Sequence, residues 1–352
     1  MKKLLQLAAL LTLTAFFLPV LTVGFPIRAA EAGEEGLLPV AGTAEARLET
    51  AAETELRQPE QPAAQPGYDA SQTVTLWQDG AVREMTLGEY LVGVVAAEMP
   101  AGFPEEALKA QAVAARSYAL YKLALYEKSP QEVHHGAQLC ADAGHCEAFA
   151  DLSLQAAALW PSGAEVYEAR IRSAVEQTDG WVLTWEEQPI AAVFCAASAQ
   201  QTETAEDIWG AALPYLVSVE SPGGDQCGKY YGQVTLSQAD FAAQLKAEYP
   251  AAALSGPPEQ WFRELRRSAA GSVLSLEVGG QRLSGRELRR LLGLNSANFT
   301  VKARGDDLIF ETVGYGHGVG LSQYGARYLA LAGQSCAEIL AHYYPGTLLE
   351  RR

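Results

Sequence analysis

Apolar positions in the stretch "PEEALKAQAVAARSYALYKLALYE" (104–127) recur at Leu108, Ala112, Ala115, Ala119 and Leu123, in steps of four and three. That period predicts an amphipathic helix with a narrow apolar stripe of mostly small residues, which admits close packing. Pro104 stands at its start, and Glu105 and Glu106 fill its first turn, where the helix dipole favours acids. Upstream, "GEYLVGVVAAEM" (88–99) reads as a short helix stopped by Pro100 and Gly102, and "SQTVTLWQDGAVREMTL" (71–87) as two short strands around an Asp79–Gly80 turn. "RIRSAVEQTDGWVLTWEEQPIAAVFCAAS" (170–198) predicts a helix and then paired strands. "VTLSQADFAAQLKAEYP" (234–250) and "SGRELRRLLGL" (284–294) contain Ser-initiated helices, and "FTVKARGDDLIFETVGYGHG" (299–318) a hairpin turning at Gly305–Asp306. Helices and short strands interleave without a regular βαβ period, so the expected class is α+β, mixed helices with short antiparallel strands.

The N-terminus follows a different pattern. Lys2 and Lys3 precede an apolar run of roughly 20 residues, long enough to span a bilayer. Residues 1–30 are therefore expected to be an N-terminal membrane anchor, with a cleaved signal as the alternative, and the bulk of the chain to be exported. Residues 31–71 are rich in Ala, Glu, Gln and Pro, and their acids outnumber Arg47 and Arg57. Such a segment cannot bury enough apolar surface to offset its ordering entropy and reads as a disordered acidic tether. Residues 72–352 remain as the exported domain.

Charge narrows the ligands. A net −16 argues against a nucleic-acid partner, which needs a basic face, but does not exclude a neutral polymer.

Three clusters could carry chemistry. Glu98 closes an apolar run, and desolvation there would raise its pKa and keep a general acid protonated near neutral pH. Lys109 and Arg116, seven apart, would share a helix face and offer a cationic neighbour; pairing with Glu105 and Glu106 is the plain alternative. In "HHGAQLCADAGHC", Cys140, His145 and Cys146, with His134 or His135 upstream, supply a tetrahedral zinc set; a Cys140–Cys146 disulfide is the rival in an oxidising compartment. Four protein ligands would make that metal structural, and no HExxH motif is present. "VGYGHGVGLSQYGA" is glycine-dense without being a P-loop, and presents His317, Ser322, Gln323 and Tyr324.

Taken in order, "LVGVVAAEMPAGFPEEALKAQAVAARSYAL", "SGRELRRLLGLNSANF", "GYGHGVGLSQYGA" and "ILAHYYPGT" resemble the stage II sporulation protein D family, over about residues 72–350. The resemblance implies a lytic transglycosylase acting on peptide-stripped peptidoglycan glycan strands during forespore engulfment. It makes Glu98 the catalytic acid and implies substrate binding by Lys109, Gln111, Arg116, Tyr118, Ser198, Thr202, Glu203, Asp207, His317, Ser322, Gln323 and Tyr324. Some clostridial members carry zinc in the corresponding Cys/His stretch, which favours zinc on His134, Cys140, His145 and Cys146. A sporulation peptidoglycan amidase and a membrane scaffold of the engulfment machinery are the implied partners, with the domain held outside the cytoplasm on the mother-cell side of the septum.

One segment departs from the family pattern. In "FCAASAQQTETAEDIWG", Cys195 stands where the family often has histidine, and Ala199–Gln200 where it has two glycines, while Ser198, Thr202, Glu203, Glu206, Asp207 and Trp209 match. Altered chemistry there would suit a rival function, a glycan-binding activator of an amidase, since a wall-associated relative is described as an amidase enhancer. A zinc peptidase or amidase is the remaining alternative.

Overall fold

The computed structural model describes residues 67–352. The expected anchor and most of the expected tether lie outside the described residues, among which no helix is long and apolar enough to cross a membrane. Folded structure begins before the expected boundary at residue 72. Tyr68–Ser71 is a helical turn whose Tyr68 and Asp69 amides donate to the Asp179 carboxylate at 3.0 and 2.8 Å. Asp69 is itself buried, so this turn belongs to the domain rather than to a tether.

Strands β1 (Thr73–Gln78) and β2 (Ala81–Thr86) pair antiparallel around Asp79 and Gly80, both at positive φ, as a two-residue hairpin demands. Thr86 then caps α1 (Leu87–Glu98): its hydroxyl accepts the Glu89 amide while the Glu89 carboxylate takes the Thr86 amide, a reciprocal cap contributing about 1 kcal/mol. Gly93 sits mid-helix because the Phe149 ring lies where its β-carbon would be, 2.2 Å away. After the Pro100 break comes α2 (Glu105–Lys128).

A loop then carries β3 (Leu139–Cys140), which pairs parallel with β1, and leads to α3 (Leu152–Leu159) and α4 (Ala164–Gln177). Next come β4 (Trp181–Trp185), β5 (Gln188–Pro189), β6 (Phe194–Cys195) and the short α5 (Ala205–Trp209).

Between β6 and the C-terminal elements lies an insertion with its own core of Phe241, Leu276, Val278, Leu288, Phe299 and Phe310. Its elements are β7 (Tyr231–Ser237), α6 (Gln238–Glu248), β8 (Phe262–Arg267), β9 (Val273–Val278), β10 (Gln281–Leu283), α7 (Gly285–Leu292), β11 (Phe299–Arg304) and β12 (Asp307–Val313). They form two three-stranded antiparallel sheets, ordered β10-β9-β8 and β11-β12-β7. Ser237 and Ser284 cap α6 and α7 as their sequence positions predict.

The chain then returns to the larger core through β13 (Leu321–Ser322), parallel to β6, then α8 (Gln323–Leu331), α9 (Cys336–Tyr343) and β14 (Leu348–Arg351), antiparallel to β4. Helices α1, α4, α8 and α9 and strand β4 all pack on α2. That surround corrects the expectation of a cationic face on α2. Arg116 is fully buried, paired with Asp69 and bonded to the Trp181 and Val175 carbonyls at 3.2 and 3.3 Å. Lys109 pairs with Glu106, whose carboxylate also takes the Cys336 amide at 2.6 Å. Gln111 is completely buried too. Alanines at 110, 112, 114 and 115 let neighbours approach on every side, so Arg116 and Gln111 are core groups out of reach of a ligand.

Candidate active site

Glu98 is the last residue of α1, and it is partly exposed. Helix α1 ends there because Met99 turns to an extended conformation ahead of Pro100, which cannot supply an amide. Two groups hold the carboxyl: Gln323 Nε2 donates to Oε2 at 3.3 Å, and the Ala148 amide to Oε1 at 3.4 Å. Burial raises its pKa above the usual 4.5, and the two hydrogen bonds oppose that rise in part. The negative end of the helix dipole adds to it. The result is a carboxylic acid that keeps its proton to higher pH while remaining reachable.

The Ala148 contact ties this acid to the Cys/His loop. His134 Nε2 and His145 Nδ1 lie 3.2 Å apart, Cys140 Sγ and His145 Nδ1 3.5 Å, and Cys146 Sγ is 3.3 and 3.6 Å from the two imidazoles. Tetrahedral zinc bonded to sulfur and nitrogen sets ligand separations of roughly 3.3–3.8 Å. All four ligand atoms fall within 4.8 Å of one another, and these side chains could hold such an ion. Both imidazoles are held below their ordinary pKa, chiefly by burial, and so are neutral as ligands must be. Burial pushes the Cys146 thiol up to about 12, a cost that a bound cation would offset. Cys140 and Cys146 are not disulfide-bonded. Of the two adjacent histidines His134 joins the cluster, while His135 turns away onto the Trp77 ring, 4.2 Å between centroids.

Glu147, between the Cys/His loop and Ala148, had no signal in the sequence. It is 3% exposed, accepts from the Tyr90 hydroxyl at 2.9 Å, and leaves Oε1 without a protein partner. Burial raises its pKa well above the ordinary range, and the Glu98 charge adds to the rise. Tyr118 lies among these groups, stacked near Tyr121 at 6.3 Å and under the Lys122 ammonium at 5.0 Å.

The glycine-dense turn packs against β6. Gly320 (φ +71) has the Val193 carbonyl 2.1 Å from where a β-carbon would stand, and Gly316 (φ +120) has the Cys195 β-carbon at 2.7 Å. The glycines therefore serve close chain packing and positive φ. His317 emerges from this turn beside Trp209, ring centroids 5.3 Å apart. Burial and the nearby Arg289 and Arg286 charges hold it down to about 4, so the imidazole is neutral. Its Nδ1 accepts the Val319 amide at 3.1 Å.

The remaining expected residues build the frame. Ser322 Oγ accepts the Ser198 amide at 3.2 Å and caps α8. Thr202 Oγ1 bridges Val217 O and Val219 N at 3.2 and 2.9 Å. Glu203 accepts the Ser272 amide at 3.1 Å, pinning the insertion to the main core. Asp207 is exposed in the first turn of α5, and the Tyr324 ring meets Phe103 edge-on at 5.1 Å.

A family model described as "Stage II sporulation protein" matches residues 78–185. The chain is 38% identical over 270 residues to stage II sporulation protein D of Bacillus subtilis (strain 168), covering 76% of this chain and 75% of that protein. It belongs to the stage II sporulation protein D family. The namesake from Bacillus amyloliquefaciens is 38% identical over 76% of this chain and 74% of its own length. The amidase enhancer of Bacillus subtilis (strain 168) is 27% identical over 74% of this chain and 40% of that protein. Within this family member, Cys195 is buried, its Sγ 3.5 Å from Ser198 Oγ.

Proposed function

We propose that the protein is a lytic transglycosylase of peptidoglycan, cleaving peptide-stripped glycan strands between N-acetylmuramic acid and N-acetylglucosamine during forespore engulfment. The observation that carries this reading is Glu98: a partly exposed acid, raised in pKa, oriented by Gln323 and Ala148.

The chemistry needs one such group. The Glu98 proton passes to the glycosidic oxygen as the C1–O bond breaks. The resulting carboxylate takes the proton of the C6 hydroxyl of the same muramic acid, whose oxygen bonds to C1 and closes a 1,6-anhydro ring; Glu98 ends protonated again. A hydrolase would need a second carboxylate to activate water or attack the sugar. Glu147, the nearby candidate, is sealed from solvent and bonded to Tyr90, which favours the single-acid route. Trp209, 39% exposed beside neutral His317, offers a sugar-stacking face with a polar edge.

In this reading His134, Cys140, His145 and Cys146 would hold a structural zinc, whose four protein ligands would fix the loop that carries the Ala148 amide. The domain works outside the cytoplasm, held at the membrane by residues 1–30, alongside a peptidoglycan amidase and a membrane scaffold.

A second reading, a glycan-binding activator of an amidase, is favoured by the likeness to the amidase enhancer and by Cys195 in place of the family's usual histidine. The test incubates the purified protein and Glu98→Gln with stripped strands, alone and beside an amidase. Shortened strands with the wild type only support the enzyme; strands bound but left whole, with a faster amidase, support the activator.

A further inference from the structure

Helix α7 brings two arginines to the His317 turn. Arg286 and Arg289, three positions apart, share a helix face. Arg286 Nη1 donates to the Ile208 carbonyl at 3.1 Å, next to Trp209, whose ring meets His317. Arg289 Nε donates to the Leu294 carbonyl at 3.2 Å, and the adjacent Asn295 carbonyl accepts the Gly316 amide at 3.1 Å. A third cation, Lys229, stands 5.1 Å over the Tyr315 ring, and its own carbonyl is tied to Asn295 Nδ2 at 2.7 Å. Lys229 thus lies over Tyr315, and the backbone groups that Arg286 and Arg289 hold sit next to residues in contact with His317 and Gly316.

None of the three has a carboxylate partner among the described residues. The ion pairs among the described residues involve Arg83, Lys109, Arg116, Arg172, Arg290 and Lys302. Arg289 is moreover partly buried, and burial lowers its pKa. A desolvated cation is costly unless something pairs with it, and a guanidinium fork matches a carboxylate in two parallel hydrogen bonds. Unpaired cations gathered beside an exposed tryptophan describe a place for an anionic sugar. The chain from His317 runs on into Gln323, whose side-chain amide holds the Glu98 carboxyl at 3.3 Å.

We propose that Arg289, flanked by Arg286 and Lys229, forms a carboxylate subsite that takes the free lactyl carboxylate of a muramic acid on a peptide-stripped strand. This rests on the glycan-strand reading above and adds how stripped strands are chosen. A stem peptide converts that carboxylate into a neutral amide, removing both the charge and one oxygen of the fork-matched pair. The subsite therefore rejects unstripped positions by leaving Arg289 unpaired.

The test separates binding from cleavage by using the full chain with Glu98→Gln. Three ligands are compared: stripped strands, the same strands with lactyl carboxylates converted to methylamides, and strands retaining their peptides. Stripped strands are expected to bind at least about tenfold more tightly than the methylamide form, the worth of one charge-assisted bond. Adding Arg289→Gln abolishes that preference, and Arg289→Lys, which keeps charge but loses the fork, restores part of it. Melting temperatures are measured alongside; should Arg289→Gln not fold, Arg286→Gln and Lys229→Gln carry the test, each reducing the preference. Equal binding of stripped and methylamide strands, or a preference that survives Arg289→Gln in a folded protein, overturns the proposal. Peptide-bearing strands binding as tightly as stripped ones would make the peptide carboxyl the ligand and overturn the lactyl assignment. Failure to bind any strand would overturn the glycan reading with it, whereas discriminating binding without cleavage by the wild type would leave the subsite standing and remove the lytic activity.

Discussion

Gln323 Nε2 donates to Glu98 Oε2 at 3.3 Å, joining residues 225 positions apart in the chain. The first residue of α8 thereby sets the orientation of the last residue of α1, and so fixes where the acid points.

That bond favours the carboxylate, so removing it moves the acid in a stated direction. Gln323→Leu is expected to lower the rate of strand cleavage roughly 10- to 100-fold, the loss of an oriented hydrogen bond to a charged group. The high-pH limb of the rate profile, where Glu98 loses its proton, is expected to shift upward. Cleavage rates measured across pH for both proteins check the pair of effects together.

Glu98 should also cost stability. Its folded pKa lies above the unfolded value of 4.5, so the folded state holds more protons as pH rises past that value, and stability attributable to this group falls with pH until the folded pKa is passed. Below 4.5 both states are protonated and the cost vanishes. Glu98→Gln is accordingly expected to melt at a higher temperature than wild type at pH 7 and at nearly the same temperature at pH 4, by calorimetry.

Arg116 and Asp69 form a buried pair, and removing one partner strands the other. Arg116→Ala is expected to destabilise the domain by about 3–5 kcal/mol. Urea unfolding would reveal it, and Asp69→Asn should cost a similar amount because it leaves the guanidinium unpaired.

The proposed zinc predicts a stability effect separable from chemistry. Chelation, or Cys146→Ser, is expected to lower the melting temperature, and added zinc to restore it for the wild type alone. Metal analysis of the purified protein should return one zinc per chain.

Local signals in the sequence translated well. The Asp79–Gly80 turn, the Ser237 and Ser284 caps and the break at Pro100 depend on residues within a few positions of one another. The cationic face failed because helical period gives the direction of a side chain but not how many neighbours cover it. Arg116 became core through Asp69 and the Trp181 carbonyl, 47 and 65 positions away. Glu147 gave no signal for the same reason, since its burial depends on Tyr90, 57 residues upstream. The role of the glycines emerged only once β6 lay against them, as at Gly320 and Val193.

The central claim is a single-acid lytic reaction at Glu98, and the mass of the products tests it most directly. Purified wild-type protein incubated with peptide-stripped strands is expected to release saccharides lighter by one water than hydrolysis products, and Glu98→Gln to release none. Hydrated products from the wild type, or anhydro products persisting with Glu98→Gln, would contradict the account.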